Sequence, residues 1–152
     1  MDANVCYSLR RVLDQSNGSL NVILSVKTPL DLSRCPELRQ LEILVMHPRE
    51  QELVTISSIT STNFQKIIFS PPITTWWDPL TENPCWVQFD DVICELADRL
   101  RMSGTKHTLE VKFRTGVVKF DGEEHNEFLP KFKEKGRVKI VSILTGETWE
   151  LS

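Results

Sequence analysis

The sequence lacks a secretory leader, a membrane span, a basic surplus and any paired-cysteine motif. The residues after Met1 are polar and mixed, without the apolar core of a signal peptide. No run approaches the ~20 apolar residues that a spanning helix needs. Lys and Arg number 18 against 21 Asp and Glu, for a net charge of −3. That balance carries no electrostatic footprint of a nucleic-acid binder. Cys6, Cys35, Cys85 and Cys94 stand far apart, with no CxxC pair. Free thiols and no leader together predict a reducing, intracellular setting, cytoplasmic or nuclear. Asn17-Gly18-Ser19 spells a glycosylation sequon, which in that setting reads as a turn.

Catalytic signatures are also missing. The chain has no Gly-rich phosphate loop, no GxSxG and no HExxH. His47, His107 and His125 are scattered, so no catalytic residue, metal or cofactor is expected. Glu123-Glu124-His125 is the one cluster able to hold a cation weakly; its other reading is a solvated helix entrance. Cys35 and Cys94 read as small buried hydrophobes.

What the sequence does have is a recurring strand. Its cores are Leu20-Asn21-Val22, Leu41-Glu42-Ile43, Ile67-Ile68-Phe69, Leu109-Glu110-Val111 and Val138-Lys139-Ile140. Their first residues are 21, 26, 42 and 29 positions apart. Three of these four steps match leucine-rich or related βα repeats. One such unit cannot bury its own apolar face, so the units must stack.

Between the strands the apolar period lengthens to that of a helix. Val5, Leu9, Val12 and Leu13 predict a helix over about Asn4–Gln15. Phe89, Val92, Ile93, Leu96 and Leu100 predict the strongest helix, over about Phe89–Met102. Its first turn would hold Asp90 and Asp91 and its last Arg99 and Arg101, with Gly104 as the cap. A final helix is expected over Glu127–Lys135, capped by Asn126 and ended by Gly136. Glu52–Ile59 is a weaker helical segment, because Thr55, Ser57 and Ser58 compete for backbone hydrogen bonds. The predicted fold is α/β: one domain over 1–152, an irregular βα solenoid with a curved parallel sheet of about five strands and helices on one face.

The long step contains a Pro- and Trp-rich stretch over 70–85, read as a loop insertion. Prolines 71, 72, 79 and 84 forbid a regular ladder there. Trp76 and Trp77 offer an aromatic anchor for a partner. The structural alternative packs one ring over Phe69 and Phe89.

Leu32-Ser33-Arg34-Cys35-Pro36-Glu37-Leu38-Arg39-Gln40-Leu41-Glu42-Ile43 looks like the cysteine-containing type of leucine-rich repeat. The stretches 56–69 and 128–136, and the Leu96–Leu100 helix before His107-Thr108-Leu109-Glu110-Val111, are similar to the C-terminal repeats of fungal F-box proteins. That resemblance implies a target-capturing solenoid. In the family an F-box docks on the adaptor of a cullin-RING ubiquitin ligase. Met1–Leu13 is too short for an F-box, so a ligase adaptor is a partner only if a longer form carries one.

If Leu41 and Ile43 face the core, the alternate strand positions face the concave side. One expected row is Asn21, Glu42, Ile68, Glu110 and Lys139. A second is Ile23, Leu44, Ser70, Lys112 and Val141, and a third holds Gln40, Lys66, Thr108 and Arg137. With Trp76 and Trp77, Asn21, Ile23, Glu42, Leu44, Lys66, Ile68, Glu110, Lys112 and Lys139 are the candidate contacts for an unknown target protein. The alternative covers Ile23, Leu44, Ile68 and Val141 with a second helical layer, giving a small doubly wound enzyme. A folded remnant of a multiplied family, with no dedicated partner, is the third reading. The tail with Trp149 and Leu151 is expected to fold back as a cap. The N-terminal edge, at the Leu20 strand, invites self-association.

Overall fold

The computed structural model describes residues 20–24, 29–44, 48–70, 84–105, 107–115 and 128–151, with 20–24 and 84–85 in backbone alone. Six strands form one sheet in chain order: β1 (Leu20–Leu24), β2 (Leu38–Ile43), β3 (Lys66–Phe69), β4 (Glu110–Thr115), β5 (Arg137–Ser142) and β6 (Thr148–Leu151). The first five run parallel, and β6 returns antiparallel on β5. Among the described residues, α1 (Glu50–Ser57) joins β2 to β3 and α2 (Pro84–Met102) lies between β3 and β4. The chain is thus α/β with a mostly parallel sheet. Each strand pairs with its sequence neighbour, so the order never reverses. The switch-point crevice of a doubly wound sheet has no place in it.

Strict alternation sets which side of the sheet is buried. Leu41, Ile43, Ile67, Phe69, Val111, Phe113, Val138 and Ile140 are almost free of solvent. They share one core with Ile56 of α1, with Phe89, Ile93 and Leu96 of α2, and with Phe132. Both helices therefore cover the same face. At its end Phe69, Trp86, Phe89, Phe113 and Phe128 form an aromatic cluster with ring centroids 5.2–5.7 Å apart. Most pairs meet edge to face, the arrangement ring quadrupoles favour.

Side chains tie successive segments together. Thr55 and Ser58 do compete for backbone bonds, and the competition is useful. Thr55 Oγ1 donates to Gln51 O at 2.7 Å and accepts the Leu30 N–H at 2.9 Å. Ser58 Oγ accepts the Leu32 N–H at 2.7 Å. Arg99 of α2 then donates to Ser57 O and Ile59 O, occupying carbonyls at and just beyond the end of α1. Asp90, buried on α2, accepts the N–H groups of Lys131 and Phe132 at 3.1 and 2.8 Å. Gly104 ends α2 with φ +87°, and the Thr105 N–H reaches back to Leu100 O at 3.1 Å, as the sequence predicts.

Several expectations need correction. Helix α2 begins at Pro84, two residues inside the expected 70–85 loop and five before Phe89. Proline suits a helix's first position, where its missing N–H costs nothing. Asp90 and Asp91 therefore lie beyond the first turn, and Asp90 caps a neighbouring segment instead. The helix over Glu127–Lys135 shrinks to one 3-10 turn, Phe132–Glu134. Pro130 disfavours helical dihedrals at the residue before it, and Leu129 takes φ +47°. Gly136 is required by space: a Cβ there would lie 2.6 Å from Leu109 O and against the Phe132 ring.

The tail does fold back. Arg137 holds Glu150 through two hydrogen bonds of 2.8 and 3.1 Å, and Leu151 is buried. The expected Asn4–Gln15 helix, the Gly18 turn and the Asn126 cap lie outside the described residues.

Candidate functional site

The face opposite the helices is polar and ladder-like, and among the described residues no element packs on it. Strand register fixes its rows. Asn21, Gln40, Lys66, Glu110 and Arg137 stand side by side, as do Ile23, Glu42, Ile68, Lys112, Lys139 and Glu150. Arg114, Val141 and Thr148 form a third row. The expected rows put β2, β3 and β5 in correct register but slipped β1 and β4 by two residues. The cause is at β4, where Val111 stands beside Ile67 and Val138, the place expected of Leu109. A two-residue slip keeps every side chain on its face and changes only its neighbours.

Those neighbours create an ion-pair network. Glu110 is buried and receives two lysines: Lys139 Nζ at 2.8 Å from Oε1 and Lys66 Nζ at 3.3 Å from Oε2. The second is a charge pair off the hydrogen-bond angle. Burial opposes ionisation of Glu110, but the two ammonium groups outweigh it and hold the carboxyl below its ordinary range. Beside this centre, Glu42 Oε1 accepts from Ser70 Oγ at 2.7 Å and from Arg114 Nη1 at 3.3 Å. Arg137 and Glu150 close the other side.

Lys112 sits between Ile68 and Lys139 in the middle row, half-buried. Among the described residues its ammonium has no carboxylate ion pair. Burial, then the positive charge of Lys66, pushes its pKa down from the usual lysine value, with Glu110 opposing. Ile68 is buried beside it, while Leu44 and Val141 are half-exposed. The face therefore mixes apolar patches with charges whose geometry is already fixed. The second helical layer expected as an alternative over Leu44, Ile68 and Val141 is not found among the described residues.

Sequence reasoning placed Glu42, Leu44, Lys66, Ile68, Glu110, Lys112 and Lys139 on one face, and the structure brings them together there. It passed over Arg114 and Glu150 as contacts, although both fall on alternate strand positions that point the same way. The side chains of Asn21 and Ile23, and Trp76 and Trp77, lie outside the described residues. So do His47 and the Glu123-Glu124-His125 cluster. Among the described residues, Trp86 packs beside Phe69 and Phe89, with ring centroids 5.4 and 5.7 Å away.

Other chemistry is thin. Among the described residues no group of three His, Cys, Asp or Glu side chains is placed to hold a metal. Cys35 and Cys94 are free and buried, and burial lifts the Cys94 thiol to about 11, far from a reactive thiolate. His107 is exposed and precedes β4, lining an open cleft of about 190 Å³ with Arg101 and Lys135. Lys135 is committed to Asp98, at 2.7 and 2.8 Å from its two oxygens. Among the described residues no helix is long and apolar enough to cross a membrane.

No protein-family model, curated protein or solved structure matches the chain.

Proposed function

We propose that the chain is a non-enzymatic protein-binding module, a leucine-rich-repeat-like βα solenoid whose open sheet face holds a target protein. The observation that carries this reading is the contrast across one sheet. One face is sealed by helices and the other presents a pre-paired, half-exposed array of charges around Ile68, Leu44 and Val141. Protein interfaces mix apolar and charged surface in this way. Side chains already held by ion pairs lose less freedom on binding, so more of the contact energy appears as affinity. The sequential parallel order and the side-chain ties between units support the stacked-repeat reading. Resemblance to F-box receptors supports target capture. Ligase recruitment joins this reading only for a form that carries an F-box. The N-terminal edge strand, β1, remains a route for self-association within the same proposal.

The test is capture from the protein's own cells, read by mass spectrometry, with two matched variants. Val141→Arg alters the open face, whereas Val87→Arg alters an exposed point on α2. The expected result is a reproducible partner that Val141→Arg loses and Val87→Arg keeps. A partner kept by both, or lost only by Val87→Arg, contradicts the proposal. A ligase adaptor among the proteins captured would place the module in a ubiquitin ligase.

A further inference from the structure

The open face has a charge surplus at one place. The Glu42–Arg114 and Arg137–Glu150 pairs are each neutral and stand on either side of the Glu110 cluster. At the centre, among the described residues, three ammonium groups, those of Lys66, Lys112 and Lys139, gather around the carboxylate of Glu110. Three positive charges against one negative leave two in excess, in a chain whose net charge is −3. Glu110 already holds Lys66 and Lys139, which leaves Lys112 as the ammonium without a carboxylate partner among the described residues. A half-buried cation interacts more strongly with an incoming anion than an exposed one does, because less solvent screens it.

Resting on the docking reading above, we infer that the open face takes an acidic segment of its partner protein, with a carboxylate seated on Lys112 beside Ile68. Competing anions fit less well. A nucleic acid needs a stripe of cations along its phosphates, and here the surplus is one cluster on an acidic chain. Phosphate on a peptide favours the two-pronged guanidinium fork, and Arg114 and Arg137 are both committed to glutamates. Lysine, a compact point charge, suits a single carboxylate. The half-exposed Leu44 and Val141 ask for apolar residues interspersed among the acids.

The experiment titrates the full chain with four fluorescent probes followed by anisotropy. They are a glutamate-rich peptide with interspersed valines, the same peptide with glutamine for glutamate, the same with phosphoserine, and a DNA oligonucleotide. The glutamate peptide should bind most tightly and lose affinity with added salt. Lys112→Gln should weaken it roughly tenfold, one charge pair's worth. Lys112→Arg should restore most of it, and Arg101→Gln, on the helix layer, should change nothing. Thermal melts verify that each variant is folded. Equal binding of the glutamine peptide, tighter binding of the phosphopeptide or DNA, or indifference to Lys112→Gln overturns the inference. If those results come while Val141→Arg still abolishes cellular capture, the docking face stands and only its acidic partner falls.

Discussion

The two faces of the sheet are built from the same strands and answer to different demands. On the covered face, alternate residues of β2 to β5 are aliphatic or aromatic and touch helices. On the open face, most of the residues between them are lysines, arginines and glutamates, and all of these but Lys112 are paired with neighbours one or two strands away among the described residues. The covered face removes apolar area from water, which is where most folding free energy comes from. The open face gains little by its ion pairs, since exposed pairs contribute about 0–1 kcal/mol each. A fold that needed only stability could carry uncharged polar residues there. The contrast separates what holds the molecule together from what it presents to others, and substitutions on the two sides should separate in the same way.

The sharpest break comes from the aromatic cluster. Phe69 stacks on Phe113 at 5.2 Å and meets Trp86 and Phe89 edge-on. Phe69→Ala should cost about 3–5 kcal/mol, by lost burial and the cavity left behind. Denaturant melts read that loss directly. Next comes a pair on one helix. Asp90→Ala strands two backbone N–H groups of the 131–132 segment and should cost about 2–4 kcal/mol. Asp91, adjacent in sequence, holds only the exposed Lys131 among the described residues, so Asp91→Ala should change stability by less than about 0.5 kcal/mol. Equal effects would refute the role given to Asp90.

Smaller effects belong to the open face. Glu110→Gln leaves Lys66 and Lys139 without their carboxylate and should cost about 1–2 kcal/mol at neutral pH. The folded pKa of Glu110 lies below its ordinary value of 4.5. Its contribution is therefore complete above that value and fades as pH falls through the lower folded one. The gap between wild type and Glu110→Gln should narrow only at acid pH. Lys112→Met should leave stability unchanged or raise it by up to about 0.5 kcal/mol, because the fold disfavours that charge. Any advantage should shrink at high pH, as the wild-type lysine loses its proton first in the folded state. A residue whose removal spares the fold but weakens binding is the mark of a surface kept for recognition.

Much of this was legible from patterns within single segments. All five strand cores lie in or at the edge of parallel strands, and the Phe89–Leu100 stripe does face the core. Gly104 and the folded-back tail followed from cap and edge chemistry. What escaped depends on contacts distant in sequence. Nothing local says that Asp90 will hold a backbone 41 residues away. Trp86 sits among prolines that suggested a loop, and its burial depends on rings from three other segments. Pro130, inside the expected Glu127–Lys135 helix, disfavours helical dihedrals at Leu129, which takes φ +47°. Most consequential was register, because a slip of two at β4 preserves the face and hides the clustering of Lys66, Lys112 and Lys139.

The most direct measurement is lysine labelling of the chain alone and in its captured complex, read by mass spectrometry. Lys66, Lys112 and Lys139 should lose reactivity in the complex, while Lys131, exposed beside α2, should label equally in both. Protection of Lys131 with the three sheet lysines unchanged would place the partner elsewhere and contradict the docking face.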